Sequence, residues 1–214
     1  MTSSSPDPVL DTSVSYERGA AEYAEHSRDR TPLAHLLDRF ATLVGPNALV
    51  LDLGCGPGHD AAELAKRGLR SNACDLTLGL LRQARLHDAI VGRLVQCDAR
   101  QVPFAADSLD GVWACASLLH LRKTDVPDAL LEAYSALKLG GILFTSMQHG
   151  EGEKVPYDPG FGLGVRHYFF YRAEEWQILV EQAGFSVIEQ RVNATTSGLN
   201  PGATGCIETF ARKA

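Results

Sequence analysis

The stretch Leu49–Gly58, LVLDLGCGPG, constrains this chain more than any other. An apolar run, Ala48–Leu53, is long enough only for a buried strand and passes straight into Gly54, Gly56 and Gly58. A helical pattern follows over His59–Arg67. Glycine tolerates positive φ and carries no Cβ, so the main chain here can turn sharply and let a ligand lie against it. In an open α/β sheet such a strand tip is where ligands bind. By itself the loop also reads as an ordinary tight strand-to-helix turn.

The surrounding pattern repeats the same alternation. Short strands are expected at Ser71–Cys74, Arg93–Cys97, Asp110–Cys115 and Ile142–Met147. Helices are expected at Leu78–His87 and Asp125–Leu137, the latter stopped by Gly140-Gly141. Strands alternating with helices imply βαβ units, a parallel sheet and right-handed crossovers, a doubly wound α/β fold. After a helix at Ala173–Ala183, two strands, Phe185–Val192 and roughly Ala203–Ala211, flank a stretch with no room for a helix. A short connection of that kind joins antiparallel strands. At the front, residues 1–12 read as a disordered Ser/Pro/Asp tail. From Ser13 a helix carries Tyr16, Ala20, Tyr23 and Ala24 on one face, and Pro32 opens a second helix to about Leu43. The 214 residues suit one domain, 13–214, with 13–44 as N-terminal lid helices. Residues 149–165 are rich in Gly, Pro and charge and read as a loop or lid.

What lifts the glycine loop above a plain turn is the acid at the next strand tip. Asp75 stands 23 positions after Asp52, and a carboxylate there can accept hydrogen bonds from both hydroxyls of a ribose. Asp98-Ala99 ends the third strand, where a carboxylate can accept an adenine amino group. The glycine spacing is GxGxG, with His59 where a dinucleotide fingerprint has its last glycine. No GKS or GKT follows a strand, which argues against a nucleoside triphosphate.

LVLDLGCGPG, then CDLT, VQCDA, LDGVWACASLLHL and LKLGGILFTS, resembles the class I S-adenosylmethionine-dependent methyltransferases, most of all the small bacterial methyltransferase-domain type. The resemblance runs from Tyr16 onward and identifies the cofactor better than the acceptor. It implies a Rossmann-like seven-stranded, mostly parallel sheet with an antiparallel last strand and a helical lid. It also implies that Asp52, Gly54, Cys55 and Gly56 line the methionine part of S-adenosyl-L-methionine, Asp75 and Leu76 its ribose, and Asp98 and Ala99 its adenine. Cys115 and Ala116 would lie under the sulfonium side. Tyr16 or Tyr23 would cap the methionine carboxylate or close the acceptor pocket, or would simply pack the lid helix.

Methyl transfer from a sulfonium needs alignment, exclusion of water and, for a protonated acceptor, a base. His120, after ACASLL, is a candidate base and also reads as a capping or core histidine. Tyr23 and Arg166 complete the catalytic candidates, Arg166 for an acceptor carboxylate. His149 and Gln148 point toward the pocket mouth in this reading. Alternation within Tyr168–Tyr171 would place two rings in the core and two on a pocket wall.

The formal net charge of −6, from 20 Lys+Arg against 26 Asp+Glu, gives no support to a nucleic-acid partner. The five cysteines show no CxxC pair, so neither a disulfide framework nor a metal site is expected. No signal peptide or membrane-length apolar run is visible. The expectation is a cytoplasmic monomer or homodimer acting on a small-molecule acceptor. Intramolecular cyclisation, aminocarboxypropyl transfer and a non-catalytic cofactor-binding module are the competing uses of the same cradle.

Overall fold

The computed structural model describes residues 7–154, 157–158, 164–194 and 203–214. Three helices come first: α1 (Pro8–Arg18), α2 (Ala20–His26) and α3 (Ala34–Val44). The alternating part follows as β1 (Leu49–Leu53), α4 (His59–Lys66), β2 (Arg70–Asp75), α5 (Leu78–Ala84), β3 (Leu94–Gln96), β4 (Leu109–Cys115), α6 (Val126–Ala136) and β5 (Leu137–His149). The two-residue strands β6 (Glu153–Lys154), β7 (Tyr157–Asp158), β8 (Gly164–Val165) and β9 (Tyr168–Phe169) come next. The described chain closes with α7 (Ala173–Gln182), β10 (Phe185–Asn193) and β11 (Gly205–Lys213).

Seven strands form one sheet in the order β10-β11-β5-β4-β1-β2-β3. The neighbours β5-β4-β1-β2-β3 are parallel, and β11 runs antiparallel to both β10 and β5. This is the doubly wound sheet with an antiparallel last strand. The order reverses at β1, whose next strand in sequence lies to one side and β4 to the other, so the tips of β1 and β4 border a crevice.

Side-chain alternation sets the layers. Val50, Trp113 and Phe144 turn to one face and pack with Leu37 and Phe40 of α3 and Leu64 of α4. Leu51, Leu53, Val112 and Leu143 turn to the other and pack with Val126, Leu130, Trp176 and Val180 of α6 and α7. Trp113 stacks on Phe144 with ring centroids 4.0 Å apart, and neither is exposed. Burying each large side chain in this way contributes about 1.5–3 kcal/mol.

Several boundaries differ from the sequence reading, and three of them change how the elements are laid out. The first helix begins at Pro8, inside the stretch expected to be a tail, because Asp7 caps it by accepting from Val9 N at 3.0 Å and proline suits the first turn. Residues 1–6 lie outside the described residues. The lid helix is broken at Gly19 into α1 and α2. Helix α6 ends at Ala136, and β5 starts at Leu137 rather than after Gly140-Gly141. Leu137 pairs with Leu109 of β4, and a register shift between Leu109 and Gly111 absorbs the glycines.

Candidate active site

A cavity of about 190 Å³ opens where the tips of β1, β2, β3 and β4 meet the lid helices. Its walls include Tyr16, Tyr23, Asp52, Gly54, Cys55, Gly56, Asp75, Leu76, Asp98, Ala99, Cys115, Ala116 and His120. Every residue singled out for the cofactor is there, and so are two of the three catalytic candidates. Arg166 stands behind the wall: its guanidinium lies 5.5 Å from the ring centroids of both Tyr16 and Tyr168, and Nη1 is 3.4 Å from the Tyr16 hydroxyl.

The glycines have separate jobs. Gly54 (φ +73°) is needed because an added Cβ would sit 2.3 Å from Cβ of Ser117. Gly58 (φ +79°) lets α4 and α5 approach, since a Cβ there would meet Ala84 and Ile90 within 3 Å. Gly56 (φ +54°) is the one whose missing Cβ faces open cavity, its nearest neighbour being Tyr23 Cε1 at 3.9 Å. It is the bare main chain a ligand can lie against. Gly58 therefore takes the helix-packing duty that a dinucleotide fingerprint gives to a later glycine.

The acids are held unequally. Asp75 accepts from Gly56 N and Thr77 N, each at 2.8 Å, one on each oxygen. Burial pushes its carboxyl up, against those amide bonds. The Thr77 side chain and the Leu76 amide add to those bonds, and the carboxyl group lines the cavity at the β2 tip. Asp98 is gripped by Arg100, with Nη2 to Oδ2 at 2.6 Å, and Arg100 also reaches Asp7 and Asp125. Burial pushes Asp98 up, but the Arg100 guanidinium outweighs it and leaves the carboxyl below the usual range. Asp98 is thus an ionised lip of the cavity tied to the cap of α1.

Asp52 is 2% exposed, and its Oδ2 has no hydrogen-bond partner among the described residues. Beside it lies a network that sequence reasoning missed. Arg30 makes a two-pronged pair with Asp60, whose Oδ2 also accepts from Trp113 Nε1 at 2.9 Å. Arg30 is the one Arg or Lys lining the cavity among the described residues. No local motif marks it, because it sits in a turn and meets Asp60 across 30 positions.

At the lid end, His120 donates from Nδ1 to the His167 carbonyl at 2.7 Å, and Nε2 lies 3.4 Å from the Tyr16 hydroxyl. Burial pushes the imidazole down to about 4, helped by Arg166. The Tyr23 phenol is held well above its usual range by neighbouring Tyr16 and by burial, so it acts as a neutral hydrogen-bonding group. Burial likewise raises the thiols of Cys55 and Cys115, which line the cavity as small protonated groups. Ala116 stands at φ +53°, a strained backbone at the β4 tip.

Other candidates lie elsewhere. His149 bonds to Thr204 Oγ1 at 2.7 Å and is absent from the cavity wall, as is Gln148. Tyr168, Phe169, Phe170 and Tyr171 are all at most 7% exposed and join one core, so alternation does not split them between core and pocket. Much of 149–165 lies outside the described residues. All five cysteines are free, and the described residues contain no cluster suited to a metal ion.

A glycine loop with acids at the two adjoining strand tips, on a doubly wound sheet, thus defines an α/β protein with a lined cavity at its switch point. Residues 51–145 match the family model described as "Methyltransferase domain". The chain is 32% identical over 140 residues to malonyl-[acyl-carrier protein] O-methyltransferase of Salmonella typhimurium, covering 64% of this chain and 53% of that one. It is 35% identical over 152 residues to trans-aconitate 2-methyltransferase of an Enterobacter species, covering 65% and 57%. The chain thus spans little more than half the length of these relatives. Among solved structures, 1,6-didemethyltoxoflavin-N1-methyltransferase of Burkholderia thailandensis, with S-adenosylhomocysteine bound, superposes with a TM-score of 0.72 at 18% identity, covering 100% of this chain and 93% of that one. Residues 51–145 are thus similar to a methyltransferase domain, and the fold is shared with the solved structure.

Proposed function

We propose that this protein transfers a methyl group from S-adenosylmethionine to a small-molecule acceptor. The observation that carries the reading is Asp75: an acid at the second strand tip, set by the amides of Gly56 and Thr77 and lining the cavity where a ribose would lie. Gly56 supplies the bare backbone beside it, and the orphaned Oδ2 of Asp52 and the Arg30 guanidinium suit an amino acid's ammonium and carboxylate. These residues fit the donor. In this assignment Asp75 and Leu76 hold ribose, Asp98 and Ala99 hold adenine, and Gly54, Cys55 and Gly56 run along the methionine part. Cys115 and Ala116 form the floor beneath the sulfonium side.

Bound S-adenosylmethionine supplies a methyl already activated on sulfur. The chain's task is then to orient the acceptor, keep water out and take a proton where the acceptor carries one. Tyr16 and Tyr23, with ring centroids 4.9 Å apart, close the lid end. His120 is neutral, and its Nε2 lone pair is the proton-accepting atom there. Arg166 positions Tyr16 rather than lining the cavity.

The relatives named above act on malonyl-[acyl-carrier protein] and trans-aconitate, which supports an acceptor presented as a small group. The reading also takes residues 13–214, extended back to Pro8, as one domain, in a cytoplasmic monomer or homodimer without a nucleic-acid partner. The net charge of −6 supports the last point. Among the described residues no helix is long and apolar enough to cross a membrane.

Mass spectrometry of products from the donor and a metabolite extract tests the proposal. Adenosylhomocysteine with a methylated metabolite is the expected result. Methylthioadenosine would place attack on the aminobutyrate side, and an untouched donor would refute turnover.

A further inference from the structure

Asp52 stands apart from the other cavity acids. Asp60 has Arg30 and Trp113, Asp75 has two amides, and Asp98 has Arg100. Asp52 has the Ala61 amide on the carboxyl group and nothing on Oδ2 among the described residues. The charged and titratable groups facing it are Arg30 from the turn after α2, Asp60 from α4, Asp75 from β2, Cys55 from the glycine loop and Cys115 from β4. Arg30 is therefore one cation among three carboxylates, and Asp60 already engages it through both oxygens.

An ionised carboxylate that is 2% exposed, with one oxygen undonated and two acids nearby, is unfavourable. Burial is the largest cause, followed by Asp60, and together they hold the carboxyl well above its usual range against the pull of Arg30. A ligand ammonium beside Oδ2 reverses that balance, because it adds both a donor and a positive charge.

We infer that Asp52 holds a proton in the empty cavity and releases it to solvent when the α-ammonium of the adenosyl amino acid binds. The inference rests on the donor reading above. Asp52 loses its O–H proton, the ammonium keeps its three hydrogens, and one of them bonds to Oδ2. The sign follows from linkage. The free protein binds the extra proton, so ligand affinity rises with pH until Asp52 ionises unaided, by up to about tenfold per pH unit.

Calorimetric titration of adenosylhomocysteine, a ligand that cannot turn over, reads this directly. The heat is measured at one pH in phosphate and in Tris, whose ionisation enthalpies differ, and the difference counts protons. The expected result is a release approaching about one proton per ligand in the wild type and close to none in Asp52→Asn. Binding without proton release in the wild type overturns the inference and leaves the donor reading intact. The same release in both proteins overturns it too, by giving the proton to another group. No binding at all defeats the donor reading and this inference together. If Asp52→Asn folds poorly, which its melting curve will show, Asp52→Ser serves as the non-titrating comparison, and absence of release in the wild type still overturns the inference on its own.

Discussion

The imidazole Nδ1 of His120 lies 2.7 Å from the carbonyl oxygen of His167, and this contact decides which ring nitrogen can act. A carbonyl only accepts, so Nδ1 carries the hydrogen and Nε2 keeps its lone pair. Arg166 donates to the Tyr16 hydroxyl across a long 3.4 Å contact, and that hydroxyl turns its hydrogen toward Nε2, also 3.4 Å away. An acceptor group that takes the place of the Tyr16 hydroxyl at Nε2 meets that lone pair.

For a protonated acceptor, His120→Gln should lower kcat by roughly 10²–10⁴-fold, the range for loss of a general base, with donor affinity little changed. Steady-state kinetics set beside calorimetry of adenosylhomocysteine check the split. Equal loss of donor affinity would make His120 a structural residue of the cavity.

The same histidine makes stability depend on pH. Its native value of about 4 lies below the ordinary 6.5, so between those values the unfolded chain binds the extra proton. This contribution to stability is complete above about 6.5 and is lost as pH falls toward 4. Urea unfolding at pH 4.5 and 7 should show a smaller difference in His120→Gln than in the wild type.

Asp75→Ala should weaken adenosylhomocysteine binding by about 10- to 100-fold, as expected for losing a hydrogen bond to a charged acceptor, while the sheet stays folded. Asp75 also ties Gly56 and Thr77 together, so a small fall in Tm is expected alongside. Unchanged affinity would remove the ribose assignment.

The glycine loop separates packing from binding. Gly56→Val should fold, with backbone strain of about 1–2 kcal/mol at φ +54°, and should lose adenosylhomocysteine binding because its branches enter the cavity. Gly54→Ala should lose stability first, since its Cβ would lie 2.3 Å from that of Ser117, and Ser117→Gly should restore part of the loss. Thermal melts and calorimetry on the three proteins test the distinction.

Asp60→Ala should destabilise the fold by about 3–5 kcal/mol, because it leaves the partly buried Arg30 unpaired and Trp113 Nε1 without its acceptor. Trp113 is fully buried, so a shifted fluorescence maximum in the folded variant reports the broken bond. Asp60→Asn should cost less, since an amide oxygen can still accept from the indole.

The cradle was legible because its chemistry is local. Strand, turn and helix are adjacent in Leu49–Lys66, and Asp75 and Asp98 sit at the tips of the next two strands, so alternation alone places all three at one edge. Parallel βαβ units follow from the alternation, whereas the placing of β4 on the far side of β1 from β2 is decided in the tertiary structure. The lid was half legible. Tyr16 and Tyr23 do meet, but Gly19 breaks their helix, and the Asp7 cap moves its start back to Pro8.

The amino-acid order by itself determined the doubly wound sheet, the antiparallel last strand and the glycine loop with acids at the next strand tips, because periodicity and glycine placement act over a few neighbouring positions. Only the tertiary structure decided that Arg30 joins Asp60 and Trp113, that Arg166 stands behind Tyr16, and that Oδ2 of Asp52 is left without a donor among the described residues. Those outcomes depend on side chains 30 to 150 positions apart meeting in a dry interior. There a charge must find a partner or give up its ionisation, and local sequence carries no record of which partner arrives.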